Sequence, residues 1–164
     1  MGSSIPKASL FLALAAAGAA SAADPADCAG FSAAKAAAFL GVPAAQVLRK
    51  VEKSGKSLYL CAYAVGKAAT SIAFSVEAAP SAKKAAEDLE RYRDNLMVAG
   101  ETAPFKDRLP KGAFSDIVGV GDEGVWTDVN GTFTVRKGNL TVQVTMPEGK
   151  MEQLKLAQAV LGKP

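Results

Sequence analysis

Three short patterns in this 164-residue chain combine residue types and spacings that chemistry could use. The first is Gly119-Val120-Gly121-Asp122-Glu123-Gly124, which fits G-x-G-x-x-G. In a dinucleotide site such a loop follows a strand and opens a helix, whose N-terminal amides and dipole face the pyrophosphate. Here the strand-like FSDIVGV leads in, but the β-branched, turn-rich VWTDVNGTFTVRKG follows and starts no helix. The glycines therefore read as a bulge or tight bend ahead of the strand that carries Val125 and Trp126. The second pattern is Ser-x-x-Lys, at Ser32–Lys35 and Ser81–Lys84, the acylating pair of penicillin-binding enzymes. Those folds are far larger and their partner motifs SDN and KTG are missing, whereas serine at a helix start is an ordinary cap. The third is a set of carboxylates: Asp116, Asp122, Glu123 and Asp128. Two acids flanking a sugar could cleave a glycosidic bond, and hard oxygens could hold calcium. The stretch Asp128-Val129-Asn130-Gly131 lacks the full twelve-residue calcium loop, and acids are common in turns.

Composition narrows the chemistry further. The chain has no histidine, which removes Ser-His-Asp and Cys-His catalysis, imidazole proton transfer and the commonest zinc and copper ligand. Its two cysteines, Cys28 and Cys61, lack the C-x-x-C spacing of a redox pair. In an oxidising compartment an even pair reads as a structural disulfide, so no metal site and no cofactor are expected. Nineteen basic residues face sixteen acidic ones, interspersed and with no basic block among aromatics, which argues against nucleic-acid binding. Trp126, the single tryptophan, is either a core residue or a binding platform.

The elements that would position these residues begin after a leader. Residues 1–22 combine Lys7, an apolar run from Leu10 to Ala20 and the small-x-small site Ala20-Ser21-Ala22, the pattern of a cleaved secretory signal peptide. Removal leaves residues 23–164, about 140 residues, enough for a single domain with its own core. No later segment approaches the roughly 20 apolar residues that cross a bilayer. The protein is thus expected in the periplasm or secreted, with no transmembrane segment after processing.

Within that domain, Ser32 caps a helix over AAKAAAFL that Gly41 and Pro43 end. Residues 47–53, SLYLCAYAV (57–65) and TSIAFSVE (70–77) read as strands, with Cys61 on the face of Tyr59 and Tyr63. A helix from Pro80-Ser81 to about Val98 carries Ala82, Ala85, Leu89, Tyr92 and Leu96 on its apolar side. Lys83 and Lys84 in its first turn oppose the helix dipole. The Pro/Gly-rich 100–113 is the longest loop, and its Phe105 and Leu109, with Trp126, are candidate ligand or partner contacts. Two further strands follow, with Phe133 and Val135 opposite Thr132, Thr134 and Arg136, then Leu140, Val142, Val144 and Met146 opposite Thr141, Gln143 and Thr145. The last helix, about 149–161, shows Met151, Leu154, Ala157 and Leu161 on one side. Short links imply antiparallel pairing. The expected order is α-βββ-α-loop-ββββ-α: an α+β fold with an antiparallel β-sheet of six or seven strands packed on helices and one disulfide.

Several of these segments together resemble a loose group of small exported bacterial domains, among them actinobacterial secreted lipoproteins and the extracellular sensor domains of some mycobacterial serine/threonine kinases. The shared elements are Cys28 ahead of FSAAKAAAFLGVP, Cys61-Ala62-Tyr63 in a strand, Val118 to Glu123, and Val135-Arg136-Lys137-Gly138 before the last strand and helix. The resemblance implies a helix-backed antiparallel sheet and a non-catalytic role in the cell envelope. This chain departs from the lipoproteins because Asp27, not a small residue, precedes Cys28, and from the kinases because it lacks a membrane helix. The leading expectation is a non-enzymatic periplasmic or secreted binding module of the cell envelope, its partner an envelope protein or a small apolar ligand. Alternatives are a carrier of a small apolar molecule or lipid, and a carboxylate-based envelope hydrolase.

Overall fold

Local signals bound the elements. In a computed structural model that describes residues 24–67, 70–101, 114–117, 119–127, 131–145 and 150–161, the Lys35 amide donates to Ser32 Oγ at 3.3 Å. Gly41 closes that helix in the left-handed region at φ 69°, which limits α1 to Ala33–Leu40. A meander follows: β1 Val47–Ser54, β2 Leu58–Val65 and β3 Thr70–Ala78. The Lys84 amide donates to Ser81 Oγ, capping α2, Ala82–Glu101. The dipole conflict of Lys83 and Lys84 has a local answer, because they pair with Glu87 and Asp88 one turn on. The second meander comprises β4 Phe114–Ile117, β5 Glu123–Thr127, β6 Thr132–Lys137 and β7 Leu140–Thr145, and α3 spans Lys150–Leu161. Residues 1–22, expected to be a leader, and Phe105, Leu109, Val118, Asp128, Asn130 and Met146 lie outside the described residues.

All seven strands form one antiparallel sheet in the order β1-β2-β3-β7-β6-β5-β4. The expected fold class and element order are therefore present. The two meanders meet at a seam where Phe74 faces Val144 and Val76 faces Val142. Across the sheet the register aligns Cys61, Phe74, Val144, Phe133 and Trp126 on one face. That face carries the main core, closed by Ala36 and Ala37 of α1 and by Leu156, Ala157, Val160 and Leu161 of α3.

The phase of α3 differs from its sequence reading. Met151 is exposed, and the buried side runs through Gln153, Leu156, Ala157, Val160 and Leu161. Gln153 is drawn inward because its Nε2 donates to the Gly131 carbonyl at 2.7 Å, so a polar side chain takes the place that the alternation of apolar residues had given to Met151. Helix α2 also departs from a one-sided sandwich. It contacts β6 and β7, and its Leu89 and Tyr92 share a trough with Leu58, Leu60, Thr134 and Gln143 of the opposite sheet face, so the sheet has helices on both sides.

A covalent and aromatic clasp fixes the N-terminal segment. Cys28 and Cys61 form a disulfide across 33 positions. Cys28, Ala29 and Gly30 turn left-handed in succession, with φ of 54°, 55° and 74°. Two of these are non-glycine residues in a region that costs on the order of 1 kcal/mol each. The turn delivers the Phe31 carbonyl to the Tyr63 hydroxyl, which donates to it. It also sets the Phe31 ring edge-on to Tyr63 and Phe74, with centroids 5.3 and 5.6 Å away. Arg49 of β1 reaches Asp27 at 2.9 Å and ties the edge strand to the same turn.

Candidate binding surface

The G-x-G-x-x-G segment forms the connection between β4 and β5, and a strand begins at Glu123 where a nucleotide site would need a helix. Val120 is buried, and Gly119 and Gly121 take φ of 89° and 60°. Gly121 is required by close approach as well. A Cβ there would collide with the Arg136 carbonyl oxygen and lie 2.7 Å from Val135 Cγ1.

That close approach positions the acids. The Asp122 amide donates to the Arg136 carbonyl at 2.7 Å, and Asp122 Oδ2 accepts from Arg136 Nη1 at 2.9 Å and from the Gly138 amide at 2.7 Å. Arg136 Nη2 donates to Glu123 Oε1 at 2.7 Å, and Nη1 also donates to the Gly138 carbonyl. The other Glu123 oxygen faces Arg93 of α2 at 3.6 Å, while Arg93 Nη2 reaches Asp116 Oδ1 at 3.2 Å. The structure thus does bring Asp116, Asp122 and Glu123 into one neighbourhood, but two guanidinium groups occupy their oxygens. The ensemble pins α2 to β4, β5 and β6, the work of a structural brace. Among the described residues no three Asp, Glu, Cys or His side chains converge as metal ligands.

Trp126 is 5% exposed and packs against Phe133 with centroids 6.3 Å apart, inside the α1/α3 core. The buried phenol of Tyr63 has its pKa raised, chiefly by loss of solvent, with the nearby Arg49 charge acting in the opposite direction.

The surface that remains is the α2 face of the sheet. Among the described residues helix α2 covers the β6 and β7 side of that face and reaches the edge of β2, and it leaves most of β1, β2 and β3 without a helix. Two adjoining troughs run there. One, of about 510 Å³, is bounded by Lys50, Glu52, Leu60, Ala73, Gln143 and Thr145. Its neighbour, of about 440 Å³, continues under Leu89 and Tyr92 to Leu58 and Glu77. Leu60, Ser75 and Gln143 border both. The floor mixes the methyl groups of Ala62 and Ala73 with the polar groups of Ser75, Thr134, Thr141 and Gln143, and Gln143 Nε2 lies 3.5 Å from Thr134 Oγ1. The larger apolar side chains stand at the rim, where Leu60 is 43% exposed and Leu48, on the same face, 61%. Charges flank the troughs in pairs: Lys50 with Glu52, and Lys84 with Asp88.

Sequence reading did not single out these residues, because Ser75, Thr134, Thr141 and Gln143 alternate with core residues as any solvated strand face would. The signal available was Leu48, Leu58 and Leu60, three leucines in phase with the polar side of their strands. Among the described residues no helix is long and apolar enough to cross a membrane. No model of a known protein family matches the chain, and neither a curated protein nor a solved structure shows significant similarity to it.

Proposed function

We propose that the protein is an exported, non-enzymatic binding module of the cell envelope, and that it holds a segment of a protein partner in the paired troughs on the bare half of the α2 face. The observation that carries this reading is the unequal cover of the sheet. Among the described residues two helices close one face, one helix closes half of the other, and the remainder presents exposed Leu48 and Leu60 beside the hydroxyl and amide groups of Ser75, Gln143 and Thr145. Apolar side chains interspersed with hydroxyl and amide groups suit a polypeptide, which offers side chains and backbone amides together. A lipid carrier needs an enclosed cavity, whereas these troughs open to solvent along the sheet. Binding rather than hydrolysis is also supported by the arginine pairing of Asp116, Asp122 and Glu123. Export is supported by the leader pattern and by the Cys28–Cys61 bond.

Panning a displayed peptide library on the purified protein tests the reading. Enriched peptides should lose binding to Leu60→Asp and keep it with Met151→Asp, a change on the exposed side of α3. Failure to enrich any sequence, or equal binding to both variants, would reject the trough as a partner site. Turnover of a glycosidic, ester or peptide substrate that a single carboxylate substitution abolishes would reject the non-enzymatic assignment.

A further inference from the structure

Strand β1 is an edge. Among the described residues it has a hydrogen-bonded neighbour on one side only, β2, and its register with that strand runs unbroken from Val47 to Ser54. Seven of its eight residues are exposed, and no proline or bulge interrupts it. Such an edge offers a row of backbone donors and acceptors, which folded proteins usually blunt with charged side chains, proline, a bulge or a covering element. The charges here, Arg49, Lys50, Glu52 and Lys53, are of mixed sign and complement themselves.

A two-fold axis that pairs β1 with a second copy in an antiparallel, continuous sheet keeps each face continuous, so the axis must pass through a residue facing itself. Centring it on Arg49, Lys50, Glu52 or Lys53 sets that charge against its own copy. Centring it on Val51 sets valine on valine. Lys50 then faces the partner's Glu52, and Glu52 the partner's Lys50. On the other face Arg49 falls opposite the partner's Lys53. Those cations are already engaged within their own subunit, Arg49 by Asp27 at 2.9 Å and Lys53 over the Tyr59 ring at 5.7 Å. Val51, 37% exposed as it stands, would be covered.

We infer that the protein forms a symmetric dimer by antiparallel pairing of β1 with β1 of a second copy, in the register centred on Val51. The two sheets join into one of fourteen strands. Because Lys50 and Glu52 border the larger trough, the troughs of the two copies lie side by side across the axis.

Charge reversal tests the register directly. Sedimentation equilibrium of the purified protein should show a reversible monomer–dimer equilibrium. Lys50→Glu places two pairs of like charges across the axis, as does Glu52→Lys, and each should weaken the dimer roughly tenfold or more. The double variant Lys50→Glu/Glu52→Lys restores opposite charges and should recover wild-type affinity. These positions are on the surface, and circular dichroism checks that each variant folds. Amide exchange on the outer side of β1 should slow as concentration rises. A wild-type protein that stays monomeric at every attainable concentration would overturn the inference. So would single variants that dimerise like the wild type, a double variant that stays weak, or a dimer whose β1 amides gain no protection.

Discussion

Arg136 and Asp122 are joined twice, once through their backbones, where the Asp122 amide donates to the Arg136 carbonyl at 2.7 Å, and once through their side chains at 2.9 Å. The glycine-rich bend and the β6–β7 hairpin are thereby one structural unit. With its side chain 10% exposed and its partners Asp122 and Glu123 45% and 35% exposed, Arg136 is the buried member of a half-hydrated group. Replacement by methionine leaves Asp122 without its cation and Glu123 with Arg93 alone, and should cost about 2–3 kcal/mol, less than a fully buried pair because water reaches the carboxylates. Arg136→Lys should recover only part of this, since an ammonium cannot fork between two acids and the Gly138 carbonyl. Urea midpoints of the two variants check both statements.

Two glycines of the same bend should behave differently. Gly119 has open space where a Cβ would lie, so Gly119→Ala should cost only the backbone penalty of its positive φ, on the order of 1 kcal/mol. At Gly121 the added carbon meets a backbone oxygen that cannot move without breaking the β5–β6 pairing. Gly121→Ala should therefore be the worse variant by about 2 kcal/mol or more. Equal thermal midpoints for the two would refute the contrast.

Much of the architecture was legible in the letters. The alternation of Ile72, Phe74 and Val76, the cap at Ser32 and the glycine at 41 are local statements, and local physics decides them. Which face a helix takes is not local. The apolar positions Ala85 and Leu89 of α2 would satisfy either side of the sheet, and the strand residues they cover are threonines and a glutamine that read as solvated. The alternation of β6 puts Arg136 on its strand face, yet its burial depends on Asp122, Glu123 and a helix that precedes it by two whole strands. The exchange of Met151 for Gln153 in the buried stripe of α3 likewise turns on one hydrogen bond to a distant carbonyl.

Alkaline pH should weaken the fold through Tyr63. Burial raises its pKa above the ordinary value of 10, so the unfolded chain loses this proton first. The stability tied to the neutral phenol is full below the unfolded value. It is lost as pH rises from there through the higher folded value. Tyr63→Phe removes this dependence and leaves the Phe31 carbonyl without its donor, at a cost of about 1–2 kcal/mol below pH 10. The gap between wild type and variant should narrow on the alkaline side, and a gap independent of pH would contradict the account.

Breaking the disulfide should cost about 3–4 kcal/mol in the loop-entropy description of a bridge with this separation. Cys28→Ala/Cys61→Ala compared with the oxidised wild type in urea gives the value directly. A loss under 1 kcal/mol would mean that the Phe31–Tyr63–Phe74 cluster holds the turn without covalent help.

The bridge also has a mechanical meaning. A pull on the two ends of the chain passes from residue 28 straight to residue 61, so α1 and β1 sit on a slack bight that tension does not stretch. Held in an optical trap, the oxidised molecule should come to full length short by 33 positions, on the order of 110 Å of contour. A reductant in the chamber should release that hidden length in one step.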